Sequence, residues 1–198
     1  MTATNQGRSA SSRSSDASSP QDALSALVVA GLSTLDDEVE RLVRPMDGAR
    51  RVRQPADGGW SIDAILEHLC LAGERYLARM SQALAAGGAR RERGRWRPTI
   101  GGRLLARSMV SSWKLRAPSM IVPGPVPRPD VLDAFLLTNA SIRDLLHSAV
   151  DVEWRRVRFA SPFARWLTLN LGDAALVLLR HGERHHQQMQ RVARSLSG

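Results

Sequence analysis

The sequence predicts an all-α protein folded as a four-helix bundle, with an additional short helix and long connectors. Three observations carry that reading. Four long stretches place apolar residues at the spacing of one helix face. Ala, Leu and Arg are common while Phe and Tyr number only three and one, a composition that leans towards helix. Connections of mixed length, marked by Pro and Gly, separate the stretches as bundle loops do. No segment shows a convincing strand pattern, and no internal repeat is present.

Residues 1–20 are Ser-rich and lack apolar periodicity, so they are expected to be a disordered tail, with residues 21–198 as the folded domain. From about Gln21 to Arg44, Leu24, Leu27, Val28, Leu32, Leu35, Val39 and Leu42 recur at helical spacing. Pro45 ends that helix, and the basic, Gly-containing stretch up to Gly59 reads as a loop. Ser61 opens the second helix, because its hydroxyl can accept from the free N–H groups of the first turn. Ile62, Ile65, Leu66, Leu69, Gly73, Tyr76, Leu77, Met80 and Leu84 form its apolar stripe, and Gly87 and Gly88 stop it. A short helix is expected from Ile100 to about Trp113, and Pro118 to Pro129 reads as an irregular connector. Asp130 opens a third main helix running to about Val150. Asn170 with Asp173 supplies an N-cap for the last helix, Leu171 to about Leu196.

At 198 residues the chain fits one domain with a sizeable core, and its 43% hydrophobic and 24% charged residues are ordinary for a globular protein. The single cysteine, Cys70, excludes an intramolecular disulfide. The apolar run Ala26 to Leu32 is too short to span a bilayer, and the polar N-terminus does not read as a signal peptide. A cytoplasmic protein is the expectation, with no membrane partner. The net charge is +9, carried almost wholly by arginine, with Lys114 the sole lysine. Arginine suits phosphate or carboxylate recognition, although GC-rich coding bias accounts for the same excess.

The strongest chemical signal lies in the last helix, in LRHGERHHQQMQRV. At about 100° per residue, Leu171, Ala174, Leu178, Met189, Val192 and Leu196 define its core stripe. His181 and His185 fall inside it and Gln188 lies at its margin. Residues four apart on a helix have Cβ atoms about 5–6 Å apart, close enough for two imidazoles to hold one metal. Two imidazoles in a core need partners, and hydrogen bonding satisfies them as well as a metal does. For an isolated pair the hydrogen-bonded reading leads. His68, at the edge of the second helix's stripe, shifts the balance, because a third histidine from a facing helix completes a site with positions open for water or substrate. His186 is turned about 100° from His185 and reads as a surface or supporting residue, and His147 as a favourable charge at a helix C-terminus. Cys70 lies about 200° round its helix from His68 and is not expected to share a metal with it. Glu183 stands two residues after His181, not one as in H-E-x-x-H, so it points away from the histidine face.

These residues resemble a known family. Gly59-Trp60-Ser61-Ile62 through Ile65-Leu66-Glu67-His68-Leu69 is similar to the second-helix motif of the DinB/YfiT superfamily. LTLNLGDAALVLLRHGERHHQQMQRV resembles that superfamily's last-helix motif: a histidine, a second four later, and a glutamine three after that. The resemblance covers roughly residues 22–196 in layout. It implies a DinB-type four-helix bundle with His68, His181 and His185 as ligands to a Zn or Ni ion, often in a homodimer. It implies also a metal-dependent enzyme acting on a small-molecule substrate, either a hydrolase or a thiol S-transferase or isomerase using a low-molecular-weight thiol. For Gln188, orienting a ligand or a bound water and a plain helix-surface role are both open readings. The basic insert Ala89–Pro98 and the Pro-rich connector depart from the family pattern.

A thiol cofactor carries carboxylates, so arginines at the site mouth would favour transfer; Arg75, Arg180 and Arg184 are near the ligands in sequence, although most helix arginines are simply solvated. The alternative reading is a non-enzymatic protein that binds nucleic acid or another acidic partner. It rests on Arg90, Arg91, Arg93, Arg95 and Arg97 with Trp96, which can combine phosphate contacts with base stacking, although a mobile, solvated loop is the leading reading of that cluster. No recognisable nucleic-acid motif supports it, so nucleic acid is not the expected partner. A third reading is a purely structural bundle with three hydrogen-bonded core histidines.

Overall fold

A computed structural model describes residues 19–87, 96–110 and 118–197. Most of the expected 1–20 tail, most of the arginine-rich insert and Trp113 lie outside those residues.

Four long helices form the bundle: α1 (Pro20–Val43), α3 (Ile62–Ala85), α5 (Val131–Ser148) and α6 (Leu171–Ser195). α1 packs on α5 and α6, and α3 packs on the same two, so α1 and α3 stand diagonally across the core. Local chemistry fixes most of the boundaries. Ser19 and Asp22 make a reciprocal capping box at α1, with Pro20 in the first turn. Ser61 accepts from Ala64 N–H at α3, and Asn170 and Asp173 form a second capping box at α6. Gly87, with φ +103°, takes the chain into a conformation that ends α3. At α5 the capping position is Asp130, held at φ 51° with no side-chain cap bond.

Leu32, Ile65, Leu66, Ile142, Leu146, Leu171 and Met189 are fully enclosed between the helices. Small residues let the helices approach closely. A Cβ on Gly73 would stand 2.7 Å from Thr138 Cγ2, and one on Gly31 would stand 2.8 Å from both Leu179 methyls. Buried polar side chains tie separate elements together. Asp36 on α1 accepts from Asn139 Nδ2 (2.6 Å) and from Arg143, both on α5. Gln21 spans the gap to the loop after α5, donating to Val152 O (2.8 Å) and accepting from Trp154 N–H (3.0 Å).

Two details differ from the sequence expectation. The stretch before Gly59 is not all loop, because Asp47 accepts from Arg50 N–H and starts a short helix, α2 (Gly48–Val52). Its Arg50, with Arg53 just beyond, donates to Ala193 O (3.3 Å) and Leu196 O (2.8 Å), carbonyls at the end of α6 that have no partner within the helix. The chain also contains strands: β1 (Arg158–Ala160) pairs antiparallel with β2 (Thr168–Asn170), with Phe159 opposite Leu169. At three residues each, they are too short for an alternating pattern to register in the sequence. β2 runs directly into Asn170, so the hairpin sets where α6 begins.

The expected short helix is α4 (Ile100–Val110), which packs on α6. Thr99 caps it through Gly102 N–H (2.8 Å) and donates to Asp173 Oδ2 (2.7 Å), tying the starts of α4 and α6 together. The described residues of the connector before α5, 118–130, hold one 3₁₀ turn, Ser119–Ile121, and are otherwise irregular. No described helix is long and apolar enough to cross a membrane.

Candidate metal centre

α3 and α6 face each other, and their contact brings three histidines together. His68 lies near the start of α3 and is 2% exposed. His181 and His185 sit one turn apart on α6, each partly accessible at its edge. The ring centroids are 5.0 Å (His68–His181), 4.7 Å (His68–His185) and 4.6 Å (His181–His185) apart. One ring nitrogen from each lies within 4.8 Å of the other two, a group that can hold a metal ion. His68 Nε2 and His181 Nε2 are 3.1 Å apart. Two nitrogens bound tetrahedrally to zinc at 2.0–2.1 Å are separated by about 3.3 Å, so this pair needs little adjustment.

Hydrogen bonds orient two of the rings. His68 Nδ1 lies 2.7 Å from Ile121 O. A carbonyl only accepts, so the proton is on Nδ1 and the Nε2 lone pair is left facing the other histidines. His185 Nδ1 lies 2.8 Å from Gln188 Oε1, which likewise leaves Nε2 free. Such bonds to the outer nitrogen fix tautomer and ring angle in histidine metal sites. On its other side the His68 ring meets Trp60, with centroids 4.9 Å apart.

The electrostatics suit neutral imidazoles. Burial pushes His68 below its ordinary range, against the opposing pull of the Ile121 hydrogen bond. Burial, then the neighbouring His185 and His68, hold His181 far below it. Burial and then His68 bring His185 down to about 3, with Gln188 opposing. All three are therefore unprotonated near neutral pH, the state a metal requires. The donor set fits a borderline ion of the zinc or nickel kind, for which imidazole is a common ligand.

The other expected residues fall as follows. Gln188 stands beside His185, as its place at the stripe margin suggested. His186 is not on the surface: it is 7% exposed, packed against α1 with Nδ1 3.1 Å from Glu38 Oε2. α6 is covered by α1 as well as α3, so a residue turned away from one partner still meets the other. Glu183 pairs with Arg180 (2.8 Å) and is directed to that arginine. Cys70 is buried, its thiol pushed up to about 12 by burial. Arg75 donates to Met120 O (3.2 Å). Trp96 donates to Asn170 Oδ1 (3.2 Å), and its indole fills the space where Gly172 lacks a side chain, so it is engaged within the fold. Arg90, Arg91, Arg93 and Arg95 lie outside the described residues. Ile121 and Trp60 are the partners that sequence reasoning missed. The first acts through a backbone carbonyl that carries no sequence signal, and the second stood within the α3 motif without an assigned role.

The fold and the cluster define a class: an all-α bundle with three histidines on facing helices, close enough together to be able to hold a metal ion. The family model of the DinB superfamily matches residues 32–189, and the chain belongs to that superfamily. No curated protein and no solved structure matches it.

Proposed function

We propose that His68, His181 and His185 bind one divalent metal, of the zinc or nickel kind, and that the protein is a metal-dependent enzyme acting on a small-molecule substrate. The observation that carries this is the convergence of three neutral imidazole nitrogens within 4.8 Å, with the outer nitrogens of His68 and His185 tied to Ile121 O and Gln188. A three-histidine metal leaves positions for water or substrate, where it can lower the pKa of water or stabilise a thiolate. The reaction class is hydrolysis or, as the resemblance to the superfamily implies, S-transfer with a low-molecular-weight thiol. In either case the chain's own contribution is orientation. Ile121 O and Gln188 hold two ligands, Trp60 backs the His68 ring, and burial keeps all three unprotonated.

The test is metal content by mass spectrometry on protein purified without a His-tag, for the wild type and for His181→Ala. About one metal per chain, lost in the variant, is the expected outcome. Absence of metal from the wild type after incubation with Zn²⁺ or Ni²⁺ would overturn the reading.

A further inference from the structure

We propose that the proline-rich connector Pro118–Pro129 is a clasp that completes the metal centre, and that Arg128 is a positioning residue acting on His68 through the carbonyl of Ile121. The proposal rests on the reading of His68 as a ligand. Ile121 O is the atom that fixes the His68 tautomer, yet it belongs to a segment with no regular structure beyond one 3₁₀ turn. A carbonyl there stays aimed at a ring on α3 only if the connector is fastened to α3 on both sides.

Both fastenings are present. Upstream, Arg75 on α3 donates from Nη2 to Met120 O (3.2 Å), and the Ile121 side chain is itself buried. Downstream, Arg128 grips the Glu67 carboxylate with both prongs, Nε to Oε2 at 2.9 Å and Nη2 to Oε1 at 3.0 Å. Its own backbone N–H adds a bond to Glu67 Oε2 (3.2 Å), and Nη1 reaches Glu74 Oε1 (2.6 Å). Glu67 immediately precedes His68, and its side chain is only 11% exposed, so the anchor is set beside the ligand and shielded from water. The forked guanidinium–carboxylate pairing fixes direction as well as distance, which a point charge does not.

The segment between the two fastenings transmits the constraint. Pro123, Pro125 and Pro127 each fix one backbone dihedral, which stiffens the chain on both sides of Gly124 and limits how much of a shift at Arg128 is absorbed before Ile121. A simple surface ion pair would have no such lever on His68.

Two readouts on the full chain separate these cases: Zn²⁺ affinity by competition with a chromophoric chelator, and long-range ¹H–¹⁵N histidine spectra of the metal-free protein. In Arg128→Ala, Zn²⁺ affinity is expected to fall about 10- to 100-fold, the usual effect of loosening a ligand's hydrogen-bond partner. The His68 Nδ1–H tautomer should give way to a mixture. Arg143→Ala, which removes an ion pair to Asp36 between α1 and α5, should lower the thermal midpoint and leave both readouts within about twofold of wild type. Should Arg128→Ala not fold, Arg128→Lys keeps the charge and loses the fork, and it is read in the same way. Wild-type affinity together with the wild-type tautomer in the Arg128 variant would overturn the clasp. If the wild type binds no Zn²⁺, the metal reading fails on its own. The tautomer then decides the clasp: its loss in the variant supports the clasp and its persistence sinks it.

Discussion

Lowering the pH from about 7.5 to about 5.5 should destabilise the metal-free protein by about 1.4 kcal/mol through His185 alone. In the folded chain burial, then the neighbouring His68, keep this ring unprotonated down to about 3. In the unfolded chain it titrates near 6.5. At about pH 5.5 the unfolded state has therefore taken up nearly a full proton at this residue and the folded state almost none. Because the unfolded state binds more protons, the stability contribution is complete above the unfolded pKa and is lost as pH falls from there towards about 3. His181 and His68 are shifted in the same direction and add to the loss. Asp36 and Asp173, both raised by burial, have the opposite sign, since their protonation favours the folded state. Urea unfolding of wild type and His185→Gln in the presence of a chelator, at steps across this range, isolates the histidine, because the carboxylate contributions cancel in the difference. That difference should change by about 1.4 kcal/mol. A difference independent of pH would show that His185 takes up its proton in the folded chain, and the argument for a pre-formed neutral ligand set would fail.

Removing the Gln188 amide should also be visible at the metal. Gln188→Ala should weaken Zn²⁺ binding about tenfold or more, and unchanged affinity in chelator competition would remove Gln188 from the centre. At the α3–α5 crossing, the new methyl in Gly73→Ala meets Thr138 Cγ2 at 2.7 Å. The overpacking costs about 1–3 kcal/mol in urea unfolding, against roughly 1 kcal/mol gained in helix propensity. Gly73→Ala with Thr138→Ser, which removes the opposing methyl and keeps the hydroxyl bonded to Ala134 O, should be more stable than the single variant. Gln21→Ala leaves Val152 O and the Trp154 N–H without their partner, and should cost about 1–3 kcal/mol for each group left unpaired. Unchanged stability would mean that water replaces the amide at both.

What was legible in the sequence is what short-range chemistry writes there. Ser61, Asn170 with Asp173, and Gly87 mark helix ends through bonds and dihedrals spanning a few residues, and these boundaries agree with the structure to within a residue or two. His181 and His185 share a helix face by periodicity alone. Their meeting with His68 depended on α3 and α6 being neighbours, which periodicity does not encode and the two motifs supplied only by resemblance. Some of what was missed has causes far along the chain. α2 has no buried residue of its own, so no apolar stripe announced it, and it is held by contacts to the end of α6. Ile121 O is a backbone atom 53 residues from its histidine.

His186 shows why the angular argument failed where it did. A helical wheel distinguishes inside from outside when a helix has a single buried face. α6 is covered by several elements, with one face towards α3 carrying His181 and His185 and another towards α1 carrying Gly182 and His186. Leu35 of α1 occupies the space a Gly182 side chain would need, so α1 lies close to the backbone of α6 between the two ligands. The histidine face is thus braced from behind by a close helix contact and held in front by α3. That arrangement keeps two ligands on one rigid element and leaves the third, on α3, to be aimed by the connector.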